Sequence, residues 1–200
     1  MADLEIDHLA LRFGGLKVIQ DVSFAVEAGE LFALIGPNGA GKTSVLNCIS
    51  GIYRGQGGAI RFRGRDISGR APHEIAQLGV ARTFQHGELF AHMSVLENLL
   101  TGRHARVRTN ALSEMLFLPS VRREEARHRE AVERIIEFVE LERHRHAPVG
   151  GLPFGIQKIV GFARALALDP ALLLLDEPSA GLIRDEREDL ARFILRIKHE

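Results

Sequence analysis

Residues Gly36-Pro37-Asn38-Gly39-Ala40-Gly41-Lys42-Thr43 set two glycines, a lysine and a hydroxyl at the spacing G-x-x-x-x-G-K-[ST], a pattern suited to nucleotide phosphates. Gly39 and Gly41 would let the backbone wrap closely enough for its NH groups to cradle those phosphates. A helix starting near Gly41 would add the positive end of its dipole. Lys42 would reach the β- and γ-phosphates, and Thr43 would offer its hydroxyl to Mg2+, an ion that takes a few oxygen ligands and fills the rest with water and phosphate. The candidate nucleotide-binding run is thus Gly36, Pro37, Asn38, Gly39, Ala40, Gly41, Lys42, Thr43 and Ser44. The competing reading is a glycine-rich turn that binds nothing. The context, an apolar strand before and a helix after, favours the phosphate loop.

A second set of chemical groups lies far downstream, in Leu172-Leu173-Leu174-Leu175-Asp176-Glu177. Asp176 would hold the magnesium, directly or through water. Glu177, one residue on, would orient or deprotonate an attacking water. An acidic pair after an apolar strand is often only a solvated strand end, but here it follows a complete phosphate loop.

These residues need elements to hold them. Rough alternation over 4–13 and 22–26, with Gly14-Gly15 and Ala28-Gly29 as turn signals, predicts antiparallel strands. The nearly all-apolar run 31–35 predicts a strand buried on both faces and running into the glycine-rich turn. A helix over 41–49, a strand over 59–63, a short helix over 71–78 opened by Pro72 and a strand over 80–84 follow. Beyond Gln85 the texture turns helical, with helices expected over 95–100 and 124–141. A loop over 147–153, a helix over 154–168, a buried strand over 171–175 and an amphipathic helix over 185–198 complete the layout.

The totals restrict the classes of function. Twenty-six basic and twenty-six acidic side chains cancel, so charge alone draws the chain neither to nucleic acid nor to an anionic membrane. The arginine-rich segment 103–129 is mixed with glutamate and histidine and reads as a solvated or partner-facing surface. Cys48 is the only cysteine, and the start Met1-Ala2-Asp3-Leu4 is no leader, which fits a reducing cytoplasm. The densest apolar stretch, 165–175, is interrupted by Asp169 and Pro170 and is far short of a membrane span.

In this order the landmarks resemble those of ABC-transporter ATPases, over essentially the whole chain. The resemblance implies an α/β P-loop NTPase core with an N-terminal antiparallel β subdomain and a helical subdomain, divided as 1–85 with 166–200 and 86–165. Phe13 lies where the family keeps an aromatic residue that stacks on adenine. Gln85, in Ala81-Arg82-Thr83-Phe84-Gln85, matches the glutamine that joins the metal site to the membrane subunits and is counted with the catalytic and metal residues. Leu152-Pro153-Phe154-Gly155-Ile156-Gln157 sits where the signature motif belongs and is close to the variant of the branched-chain amino-acid importers, as are Glu97-Asn98-Leu99-Leu100 and Ala163-Arg164-Ala165-Leu166. Pro153 and Gly155 would close the nucleotide site of a second chain, and Ser179-Ala180-Gly181-Leu182 resembles the loop through which the two halves communicate.

What the resemblance implies is a motor that binds and hydrolyses ATP with Mg2+, paired with a second such subunit (homo- or heterodimer). It would serve two membrane permease subunits and an external substrate-binding protein from the inner face of the cell membrane, with no nucleic acid. Three departures stand out. Ile156 replaces a polar signature residue, Ile183 and Arg184 replace the usual Asn-Pro or Asp-Pro, and the chain stops at Glu200, before the family's switch histidine; His199 is not that residue. A nucleotide-binding fragment without efficient hydrolysis and a soluble ABC ATPase unconnected with transport are the alternatives at this point.

Overall fold

The computed structural model describes residues 2–83, 89–106 and 119–199, and these fall into two compact units. The first comprises Met1–Leu78 and Leu195–Glu200, the second Gly79–Ile194.

The first unit is built on an antiparallel sheet. Strands β1 (Ala2–Phe13) and β2 (Leu16–Glu27) form a hairpin, with Phe13 opposite Leu16 and Leu4 opposite Val26. Strands β3 (Gly57–Phe62) and β4 (Arg65–Asp66) complete the order β2-β1-β3-β4. The inward face of β1 changes parity: Leu4 and Ile6 are buried, and then Leu9 and Leu11. A strand with strict period two cannot bury all four. The chain solves this at His8, whose φ of 50° and accompanying register shift form a bulge between the two pairs. The His8 backbone NH donates to Ser23 Oγ at 2.8 Å, and its ring meets Asp21 at 2.8 Å, which raises the imidazole pKa. Opposite the bulge, Gly58 has φ of 78°, and a Cβ there would collide with the carbonyl oxygens of Asp7 and His8.

Helix α1 (Lys42–Ile49) lies against β2, and Val45, Cys48 and Ile49 on it are buried. Burial pushes the Cys48 thiol up to about 11. Helix α2 (Pro72–Gln77) opens with proline in its first turn, and Glu74 accepts a hydrogen bond from the Ala71 NH at 2.9 Å.

The strand expected over 31–35 is absent. Leu31, Phe32 and Ile35 are exposed, at 53%, 40% and 92%, and no ladder pairs this run. Its one ring contact is Phe32 stacked on Phe24 at 4.8 Å. An all-apolar strand needs neighbours at its edges and cover on both faces. The run is in neither the four-stranded sheet nor the β5–β6 pair, so it has no ladder partner and no cover on two faces.

The second unit pairs β5 (Val80–Arg82) in parallel with β6 (Leu172–Leu174), Val80 opposite Leu172 and Arg82 opposite Leu174. Around this ribbon stand α3 (Val95–Gly102), α4 (Pro119–Phe138), α5 (Phe154–Leu166) and α6 (Arg184–His199). Ser94 caps α3 reciprocally: its hydroxyl accepts from the Glu97 NH at 3.2 Å and the Glu97 carboxylate accepts from the Ser94 NH at 2.7 Å. Val95, Leu99, Val132, Ile136, Val160 and Ala163, at helical spacing on α3, α4 and α5, form the core of this unit. On α6, Leu190 and Phe193 are buried, with the Phe193 ring 6.1 Å from that of Phe138. Among the described residues, no helix is long and apolar enough to cross a membrane.

Gly58→Ala is expected to cost about 2–3 kcal/mol, combining backbone strain with the collision at the His8 bulge. Gly64 also has positive φ but has nothing within 4 Å of a Cβ, so Gly64→Ala should cost about 1 kcal/mol or less. Urea unfolding of both variants tests the difference; equal midpoints would show that the bulge exerts no steric demand.

Candidate functional site

In the first unit, the turn ahead of α1 is shaped by two left-handed glycines, Gly39 at φ 83° and Gly41 at φ 86°. At Gly41 a Cβ would come within 2.9 Å of the Val18 carbonyl oxygen on β2, so a side chain here would push the start of α1 off the sheet. Residues 36–40 are exposed, and Gly41, Lys42, Thr43 and Ser44 are half-buried. Gly41 at the start of α1 offers no capping side chain, and the positive end of the helix dipole there favours an anion. Lys42 Nζ folds back to donate to the carbonyls of Gly36 at 2.8 Å and Pro37 at 2.9 Å. A triphosphate cradled by the turn would draw that ammonium off these carbonyls and onto itself. Phe13, at the end of β1, is 48% exposed and is met edge-on by Tyr53, with ring centroids 5.0 Å apart and planes at 79°. The contact with Tyr53 holds the ring in place while about half of the residue stays open to solvent.

In the second unit, β6 leads to Asp176, which is buried, and to Glu177, which is exposed with φ of 45°. A glutamate in the left-handed region is strained, as is common where a side chain must be presented for chemistry. The Asp176 carboxylate accepts from Arg82 Nη2 at 2.9 Å, and the two side chains are 5% and 6% exposed. Parallel pairing causes this meeting: Arg82 is opposite Leu174, and the ladder continues with the Thr83 NH donating to the Leu174 carbonyl at 2.9 Å. Sequence reasoning gave Arg82 no role. The available signal was a lone cation at the end of an apolar strand.

Taken separately, the hydroxyl of Thr43 in the first unit and the carboxylate of Asp176 in the second are each hard oxygen donors of the kind Mg2+ selects. Gln85, the third expected metal residue, lies outside the described residues. Asp176 is engaged by a guanidinium, so a metal there would share its carboxylate with Arg82 or displace that contact.

The signature segment opens α5. Pro153 is the residue before the helix, Gly155 is buried, and Gln157 Nε2 donates to the Leu152 carbonyl at 2.8 Å. The loop after Glu177 packs on this turn: a Cβ at Gly181 would come within 2.8 Å of the Phe154 ring, and one at Gly155 would fall inside the Glu186 carboxylate. Thus Phe154, Gly155, Gly181 and Glu186 are brought together, and Arg82 joins Asp176.

Ahead of α3, buried Asn98 organises the loop. Its amide donates to the carbonyls of Phe90, Met93 and Ser94 at 3.0, 3.3 and 3.0 Å and accepts from the Phe90 NH at 2.9 Å. This holds Phe90 and Met93 at the surface, 50% and 39% exposed.

The ABC transporter family model matches residues 19–180. Over 197 residues the chain is 41% identical to the high-affinity branched-chain amino acid transport ATP-binding protein BraF of Pseudomonas aeruginosa, covering 98% of this chain and 77% of that protein. It is 38% identical over 196 residues to LivG, the corresponding protein of Escherichia coli, with the same coverage. Among solved structures, it is similar to the ADP conformation of MJ1267, an ATP-binding cassette of an ABC transporter, with TM-score 0.85 and 32% identity, covering 100% of this chain and 78% of that one.

Arg82→Ala removes the guanidinium from a buried carboxylate and is expected to destabilise the protein by about 3–5 kcal/mol. Denaturant unfolding measures it; a loss below about 1 kcal/mol would show that Asp176 is adequately solvated without Arg82.

Proposed function

This chain belongs to the ABC transporter family, and we propose that it is the ATP-hydrolysing motor of an importer for branched-chain or related amino acids. The observation that carries the ATP half is the uncapped α1 start behind Gly39 and Gly41, with Lys42 parked on carbonyls that a triphosphate would replace. The transport half rests on likeness to BraF and LivG across 98% of the chain.

In this reading, Phe13 stacks on adenine while the NH groups of residues 36–44 and the Lys42 ammonium compensate the phosphates. Thr43, Gln85 and Asp176 are the groups that would hold Mg2+, which when bound neutralises charge developing on the phosphate oxygens. Glu177 accepts the proton of the attacking water, or orients that water. Pro153 and Gly155 close the site of a second ATPase subunit, because the first NH groups of α5 have no partner within their helix and suit a γ-phosphate.

Residues 1–85 with 166–200 would act as the nucleotide core and 86–165 as the helical subdomain. Two permease subunits in the membrane and an external substrate-binding protein would complete the transporter, with this chain peripheral on the inner face. The loop fixed by Asn98 supports a docking role for the start of the helical segment. It presents Phe90 and Met93 to solvent, and apolar side chains held there by a buried amide suit a protein partner.

Lys42→Ala should reduce MgATP affinity at least a hundredfold while leaving the fold intact. Titration calorimetry beside circular dichroism reads both, and equal affinity in parent and variant would defeat the phosphate-loop assignment. Glu177→Gln keeps the size and hydrogen bonding of the side chain but removes the base. Turnover should fall by two orders of magnitude or more while MgATP still binds, and an ATP-loaded dimer should accumulate on size-exclusion chromatography. Unaltered turnover would give the water-activating role to another group.

A further inference from the structure

The Glu186 carboxylate stands at two helix starts at once. At its own helix, Glu186 Oε2 accepts from the Ile183 NH at 3.1 Å, across the three-residue step that a capping box uses. Ile183 has no side-chain oxygen to return the bond, so this carboxylate is the half of the box that remains. At α5, the carboxylate occupies the space a Cβ of Gly155 would fill, with all three of its heavy atoms against that position. Gly155 lies in the first turn of α5, where the NH groups have no partner within the helix and the dipole favours negative charge. A few residues before Glu186, Gly181 packs on the ring of Phe154, the neighbour of Gly155. The start of α5, the loop 179–183 and the start of α6 are therefore joined through one side chain and one ring contact.

We propose that Glu186 is a positioning residue for the γ-phosphate-binding turn, and that its charge opposes the γ-phosphate that a partner subunit brings there. The carboxylate serves as an internal anion for the α5 turn while no nucleotide is presented. It also fixes where Gly155 sits relative to the loop 179–183. When a partner's nucleotide arrives, two negative groups meet at one helix start, so closure must draw Glu186 away or bear the repulsion. Either response is transmitted to Ile183 and the loop, because Glu186 holds the Ile183 NH. This gives the signature turn a means of reporting occupancy to the communicating loop in a chain where Ile183 and Arg184 stand in place of the usual pair. The inference rests on the dimeric ATPase reading above.

The test uses the Glu177→Gln chain, with the MgATP concentration for half-maximal dimerisation read by analytical ultracentrifugation. Adding E186Q preserves the shape and the acceptor for Ile183 but removes the charge. The expected result is a half-point about tenfold lower, with unchanged MgATP affinity of the monomer by calorimetry and a slightly lower melting temperature, since a favourable charge at two helix starts is lost. An equal or higher half-point, including no dimer from either chain, overturns the proposal. Gly155→Ala checks the contact independently. It should lower the melting temperature in the parent and leave it nearly unchanged in E186A, where the obstructing carboxylate is gone. Equal destabilisation in both backgrounds counts against the contact. Failure of the parent to bind MgATP at all would bring down the nucleotide reading itself, an outcome calorimetry separates from a failed shift in dimerisation.

Discussion

A triphosphate is highly charged, and a chain whose twenty-six basic and twenty-six acidic groups cancel has no overall field with which to hold one. Compensation must be local, and backbone NH groups at helix starts are the cheapest local source because they cost no side-chain desolvation. On the proposed reading, two helix starts supply them. At α1, Gly41 lets the helix begin against the Val18 carbonyl, and no side chain caps the NH groups. At α5, proline precedes the helix and again no side chain caps it, while Gly155 leaves the turn open to Glu186. Elsewhere, where no anion is needed, the helix starts are closed: Ser94 and Glu97 cap α3, and Glu74 accepts the Ala71 NH at α2.

The same electrostatic economy governs the acidic groups. Asp176 is buried, and in a low-dielectric interior a carboxylate needs a counter-charge, which Arg82 supplies across the parallel pair. Glu177, one residue on, is exposed and held at a left-handed φ. Adjacent carboxylates thus have opposite environments, one fixed by an ion pair and one open to solvent, a division that suits the separate roles proposed for them.

Much of this was legible in the residues themselves. The helices over 95–100, 124–141, 154–168 and 185–198 each follow from a local signal, an apolar period or a cap, while the spacings of 36–43 and 176–177 are what motivate the proposed site. Features that depend on a second segment were not legible. The bulge at His8 reverses the parity of β1, and only pairing with β2 and β3 reveals it, since the apolar residues alternate locally on either side. The run 31–35 carries the pattern of a doubly buried strand, yet pattern states what a segment could bury and not which strands come to flank it. Arg82, Asn98 and Glu186 lay within segments already singled out or beside them. Their roles arise from partners at positions 176, 90–94 and 155, which spacing along the chain does not disclose.

On the proposed reading, the α1 start and Lys42 recognise the outer phosphates of a nucleotide. Titration of the chain with ATP, ADP and AMP in the presence of Mg2+, followed by calorimetry, measures that directly. The account predicts affinity falling steeply from ATP or ADP to AMP, by two orders of magnitude or more, because AMP offers no β-phosphate to the cradle. Comparable affinity for all three would mean that binding is dominated by the base and ribose, and would contradict the assignment of residues 36–44 as a phosphate site.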